Sequence, residues 1–181
     1  MEATRLAVLK EALKEIIEDN GFIPDQESFE LFQKIVPWPA TEVCLANPQG
    51  ELLLQKRHFK EWPGEWGNIH DWHIPGGYMK TAGTIEDWCR KHLAKDGVVA
   101  EFEYSGEIAG VLKWAPREHP FGFPLSVLCV CHLVGPIAFK PGTEQDFRFT
   151  DTVVPTTAAN TTRMQEMFFR WRDENLHLFK R

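Results

Sequence analysis

The chain has 181 residues, 43% hydrophobic and 25% charged, with a formal net charge of −6 and a pI near 5.6. That length suits one domain with its own core, and the composition excludes wholesale disorder, collagen-like repeats and coiled coil. The negative charge argues against a dedicated nucleic-acid binder, whose footprint is basic, and the longest apolar run, Leu125 to Cys131, falls far short of the roughly 20 residues that span a bilayer. Neither a nucleic acid nor a membrane is therefore expected as a partner. Cys44, Cys89, Cys129 and Cys131 include no C-x-x-C pair and read as buried thiols, while Met1 to Arg5 lead into a charged amphipathic stretch rather than a secretion signal. The expected location is cytoplasmic.

In chain order, Leu6, Leu9, Leu13, Ile16 and Ile17 recur at helical spacing and stop at Asn20-Gly21. A second helix is predicted from about Asp25 to Ile35, with Phe29, Phe32 and Ile35 on one face and Pro37 ending it. These form an N-terminal helical extension, residues 1–38, ahead of one compact unit over residues 39–181. From Thr41 the period changes. Glu42 to Ala46, the turn Asn47-Pro48-Gln49-Gly50 and the run Glu51 to Arg57 predict a hairpin. A Trp-, Gly- and Pro-rich loop, Phe59 to His70, precedes Trp72-His73-Ile74-Pro75-Gly76-Gly77.

Thr84 then opens a helix, with Asp87 three residues on completing a capping box, and Gly97 closes it. Strands are predicted around Phe102–Tyr104, Ile108–Trp114 and Ser126–Val134. A charged loop, Pro141 to Asp151, leads to a last helix with Met164, Met167, Phe168 and Trp171 on one face. Strands with a helix in the middle and another at the end predict an α/β fold with helices on both sides of a mixed sheet.

The chemistry is concentrated at Gly76-Gly77 and the capped helix behind it. Paired glycines let a phosphate or metal approach the main chain. Together with the strand ending in Gln55-Lys56-Arg57, the Pro75-Gly76-Gly77 turn, the helix and the returning strands, this segment resembles the Nudix hydrolase family over about residues 40 to 171. The signature of that family is a Gly, five residues, a Glu, seven residues, then Arg-Glu, an aliphatic residue, one residue, Glu-Glu, one residue and Gly. Laid on this chain from Gly77, the first Glu falls on Gly83, the Arg on Lys91 and its Glu on His92. The aliphatic position is Leu93, the last two carboxylates fall on Lys95 and Asp96, and the closing Gly comes one residue early, as Gly97.

The resemblance implies a Nudix-like α/β/α sandwich with a degenerate box, closest in character to the branch that hydrolyses GDP-mannose. His92, Lys95 and Asp96 stand at i, i+3 and i+4 on one helical face, where three carboxylates would hold divalent cations. Lys95 puts an ammonium there instead, so a reduced site with one magnesium ion is expected. Its ligands would be Asp96, the Gly77 carbonyl, His92 and Glu144. Arg57, Lys95, Gly76, Gly77, Tyr78 and Arg117 would bind the substrate, and Glu144 and Asp96 would carry the catalysis. The expected ligand is a nucleoside diphosphate linked to another group, a sugar in the first instance, and the protein is a candidate homodimer. The alternative is a Nudix fold with a decayed catalytic site, serving as a nucleotide-binding or protein-interaction module.

Plainer roles stand beside these. His92 continues the apolar series Ile85, Trp88, Cys89 and also suits a buried, hydrogen-bonded imidazole. Lys95 favours the negative end of the helix dipole whereas Asp96 does not, which points to a task for Asp96. His70 and His73 project in different directions ahead of a strand and do not read as a zinc pair. Trp62 and Trp66 are candidates to stack on a base, and the loop Trp114 to Pro124, with Arg117 and His119, is a candidate lid or dimer contact.

Overall fold

The hairpin that begins at Thr41 is set by one asparagine. Asn47 Oδ1 accepts the backbone N–H groups of Gln49 and Glu51, each at 3.0 Å, and Gly50 closes the turn at φ +77°, a backbone region that favours glycine. The computed structural model describes residues 11, 37–56, 71–79, 83–115, 118–119, 124–156 and 159–179. The expected N-terminal helices, the loop 59–70, Arg57 and Arg117 lie outside them.

Strand β1 (Pro39–Ala46) is buried on both faces. Val43 and Leu45 join a cluster with Cys89, Leu93 and Phe102, whereas Cys44 and Ala46 join another with Leu128, Met164 and Phe168. Such a strand has to lie inside a sheet covered on both sides. Strand β2 (Leu52–Lys56) pairs with it antiparallel at the hairpin end. Farther along the two strands part. The two-residue β3 (Trp72–His73) joins β2, and β4 (Gly76–Tyr78) joins β1.

Helix α1 (Ile85–Lys95) starts at the expected capping box, in which Thr84 accepts from the Asp87 N–H and Asp87 accepts from the Thr84 N–H. Gly97 ends it at φ +86°. Strand β5 (Val98–Lys113) runs antiparallel to β6 (Leu125–Phe139). In turn β6 lies parallel to β1, Ala40 opposite Ser126 and Ala46 opposite His132, which makes the sheet mixed. The spatial order is β3-β2-β1-β6-β5. Helix α2 (Ala159–Glu174) covers the face carrying Cys44 and Leu128, against which its Met164 and Phe168 pack, and α1 covers the other. This is the predicted α/β/α layering.

Two expected boundaries differ. The strands predicted at 102–104 and 108–114 are one 16-residue strand, because shifts in the pairing register between Tyr104 and Ile108 and a positive φ at Gly106 absorb the turn signal as a bulge. Within the expected loop, Phe147–Thr150 forms strand β7 along β2. On α2, Gln165 is fully buried and satisfied, since its Oε1 accepts the Val154 N–H at 2.8 Å and its Nε2 donates to the Val154 carbonyl at 3.2 Å. No helix among the described residues is long and apolar enough to cross a membrane.

All four cysteines are free and buried. Burial, reinforced by Cys129, Glu42 and Cys89, pushes the Cys44 thiol well above its ordinary value. The Cys129 thiol is pushed up by its pairing with Cys89 and then by burial. Thiols rather than thiolates are poor nucleophiles, so the folded protein is expected to resist an aromatic disulfide reagent at pH 8, and guanidinium should release all four cysteines. Labelling of Cys44 or Cys129 in the native state would contradict this packing.

Candidate ligand-binding site

Gly76 and Gly77, expected as a turn, lie instead in strand β4 paired with β1, and as neighbours on a strand they open onto opposite faces of the sheet. Gly77 lies opposite Thr41 on β1, on the α1 side. A Cβ there would stand 2.8 Å from Cε1 and 3.0 Å from Nδ1 of His92, so the missing side chain is the space that the imidazole fills. Gly76 lies opposite Glu42, on the α2 side, and a Cβ there would stand 2.5 Å from both Glu42 Oε2 and the Thr41 carbonyl. Strand β4 thus brings a histidine and a carboxylate against adjacent backbone positions.

On the α1 side, His92 is buried at 6% exposure with its ring 5.6 Å from that of Trp88. One turn on, Lys95 is exposed and Asp96, half-buried, caps the helix. The Lys140 N–H donates to the Gly97 carbonyl at 2.7 Å, which ties the turn after β6 to this helix end. Glu144 follows in that turn, exposed, its Oε2 accepting the Gly142 N–H at 2.9 Å. The last turn of α1 therefore carries an imidazole against Gly77, followed by an ammonium and one carboxylate. Thr41 Oγ1, fully buried on this face, has no hydrogen-bond partner among the described residues.

On the α2 side stands a group that the motif does not indicate. Trp114 Nε1 donates to Ser126 Oγ at 3.0 Å, and Ser126 Oγ donates to Glu42 Oε1 at 2.7 Å. Tyr78 OH is 3.2 Å from His119 Nδ1, and the His119 ring meets Trp114 edge-on at 5.1 Å. Burial and then the Glu42 charge push the Tyr78 phenol far above its usual value, so it stays protonated. Glu118, next to His119, accepts from Asn160 Nδ2 at 3.0 Å and from the Ala115 N–H at 2.6 Å. The first of these bonds ties this loop to α2, and the second closes the loop on itself.

Of the site residues expected from sequence, the structure brings Gly77 and His92 into contact and places Lys95 and Asp96 on the same helix end. Gly76 and Tyr78 face the other side with Glu42. Glu42 and Ser126 are the members that motif reasoning missed. Their signal is a lone acid in the series Ala40, Glu42, Cys44, Ala46, which alternation puts on one face of β1.

The donor set bears on the expected magnesium. Magnesium takes oxygen ligands in octahedral geometry, whereas the helix edge offers one carboxylate beside an imidazole and an ammonium. Among the described residues no three His, Cys, Asp or Glu side chains are placed to hold a metal ion. The described residues do not fit a resident metal cluster.

A glycine-bearing strand followed by a capped helix, on a mixed sheet with a second helix on its far face, defines an α/β/α domain of the Nudix type. The solved structure of a UDP-X diphosphatase matches it with a TM-score of 0.56 at 14% identity, covering 95% of this chain and 82% of that one. An ADP-ribose pyrophosphatase from Streptococcus suis matches with a TM-score of 0.51 at 19% identity, covering 75% of this chain and 91% of that one. The Nudix domain of Shewanella oneidensis NrtR, solved with ADP-ribose, matches with a TM-score of 0.50 at 13% identity, covering 90% and 97%. These likenesses establish the fold as that of the Nudix hydrolases. No family model and no curated protein sequence matches the chain.

Proposed function

We propose that this Nudix-fold protein binds a nucleoside diphosphate derivative through direct contacts to its phosphates, without a resident metal cluster. The observation that carries the reading is the end of α1, where His92 fills the space over Gly77 and exposed Lys95 precedes the single carboxylate Asp96. An exposed ammonium repels a second or third cation and attracts a diphosphate. Structural neighbours that act on UDP-X and ADP-ribose, or are bound to ADP-ribose, support this class of ligand, and a nucleotide sugar remains the first compound to try. The free buried thiols accord with a reducing, cytoplasmic setting.

A second reading is hydrolysis with one magnesium that enters with the ligand. It is favoured by the half-buried carboxylate of Asp96 at a helix end whose dipole disfavours it, since magnesium is commonly held by a single carboxylate together with substrate phosphates. A homodimer stays part of the proposal. It would have to form away from the β5 edge, where exposed Glu101, Glu103 and Glu107 oppose pairing with a second copy.

Calorimetry separates the two readings. Binding of ADP-ribose and of UDP- and GDP-sugars should persist in chelator, and Lys95→Glu should weaken it about tenfold, the scale of one partly screened charge contact. The same variant should raise magnesium affinity. Binding that requires magnesium, accompanied by release of a nucleoside monophosphate or of sugar, would establish hydrolysis. Absence of binding and of turnover across the panel would end both readings.

A further inference from the structure

At the hairpin end of β1 a cleft of about 590 Å³ opens among the Asn47-Pro48 turn, β5, β6 and the last residues of the chain. Thr41 and Gly77 stand toward the other end of β1, about 17 Å from Ala46 at roughly 3.3 Å per residue, so this cleft is separate from the phosphate contacts proposed above. Its volume suits a small molecule, for which sites of about 300–1,000 Å³ are usual. Pro48, Val134, Leu178 and Phe179 give it apolar surface, and Glu103 and Glu107 give it carboxylates. Val134 is 57% exposed, so its apolar surface is there for an occupant to cover, and the His132 ring stands against Phe179 at 5.1 Å.

The bulge in β5 carries Glu107 to this place. From Tyr104 to Ile108 β5 takes four steps where β6 takes two, from Cys131 to Cys129, so the residues between stand out of the ladder. Ser105 Oγ pins them, accepting the Glu107 N–H at 3.0 Å and donating to the Val130 carbonyl at 3.0 Å. Ser105 and Glu107 then line the cleft together with Glu103.

No Lys or Arg lines the cleft, and neither Glu103 nor Glu107 takes part in an ion pair. Two uncompensated carboxylates in one cleft repel a phosphate and attract a cation. A bare metal ion is a poor complement, because it needs several fixed ligands, no three such side chains among the described residues are placed to hold one, and the apolar walls would stay uncovered. An ammonium or guanidinium group carried on an apolar body answers to both the charge and the walls. We infer that the cleft is a second ligand site, for a small organic cation whose charged group pairs with Glu103 and Glu107 and whose apolar part covers Val134, Leu178 and Phe179.

The test is a titration of the full chain, labelled with nitrogen-15 and followed by nuclear magnetic resonance, with phenethylamine, agmatine, the neutral phenethyl alcohol and a trilysine peptide. The two amines should give saturable shifts confined to Ala46–Asn47, Glu103–Glu107, Val134–Gly135 and Leu178–Phe179. Glu103 and Glu107 are exposed, so Glu103→Gln and Glu107→Gln leave the fold intact. Each should weaken amine binding about fivefold, the scale of one exposed charge contact, and the double variant should abolish it. Glu166→Gln, which removes an exposed carboxylate on α2 away from the cleft, should change nothing and so controls for the general pull of a net charge of −6. Shifts scattered over the surface, amine binding that survives in the double variant, or equal binding of the alcohol overturns the inference. Binding of trilysine without either amine overturns it too, in favour of a basic peptide. Because the cleft lies apart from Gly77 and Lys95, none of these outcomes bears on binding of a nucleoside diphosphate derivative.

Discussion

Phe168→Ala is expected to cost about 4 kcal/mol of stability, the usual range for emptying a buried aromatic site. Phe168 is fully buried at the centre of α2, where it packs with Cys44, Leu54, Leu128 and Met164 and meets the Phe169 ring edge-on at 5.3 Å. Its neighbours are held by the β1, β2 and β6 ladders, so the sheet cannot collapse into the space. The midpoint of thermal unfolding should fall by roughly 10 °C in a domain of this size. A loss under about 1 kcal/mol, the scale of an exposed substitution, would mean that α2 does not seal this face.

Gly76→Ala should be nearly as damaging, at about 3 kcal/mol for forced overpacking. The added methyl would meet the Thr41 carbonyl oxygen and Glu42 Oε2, both at 2.5 Å. The first of these is backbone inside a strand ladder and has nowhere to go. Gly77→Ala meets only the His92 ring, nearest atom 2.8 Å, and a side chain can turn aside, so the cost should be smaller. Chemical denaturation of the two variants side by side checks the order. If Gly77→Ala proves the more costly, His92 is held more rigidly between α1 and β4 than its side-chain freedom implies.

The pair also separates what was readable in the chain from what was not. Thr84 with Asp87 was legible as a helix cap because the two stand three positions apart, whereas Gly76-Gly77, expected as a turn, lie in strand β4, a pairing with β1 that no local spacing records. The hairpin at Asn47 was legible for the same short-range reason as the cap. Placing His92 on an apolar helical series predicted its burial, which the structure shows at 6% exposure. The long β5 was not legible, since Gly106 looks like a chain reversal unless one knows that β6 pairs across it on both sides of the bulge.

Sequence by itself determined helices α1 and α2, the hairpin turn at Asn47 and the loss of carboxylates from the motif positions on α1. These are short-range or compositional properties, written in neighbouring residues. Tertiary structure alone decided that Glu42 would meet Ser126, 84 residues away, that His92 would fill the space left by Gly77, and that Phe147–Thr150 would join the sheet. Each depends on which strands lie side by side, above all the parallel pairing of β1 with β6. That pairing pays off only when distant apolar faces are buried together, and no local spacing records it.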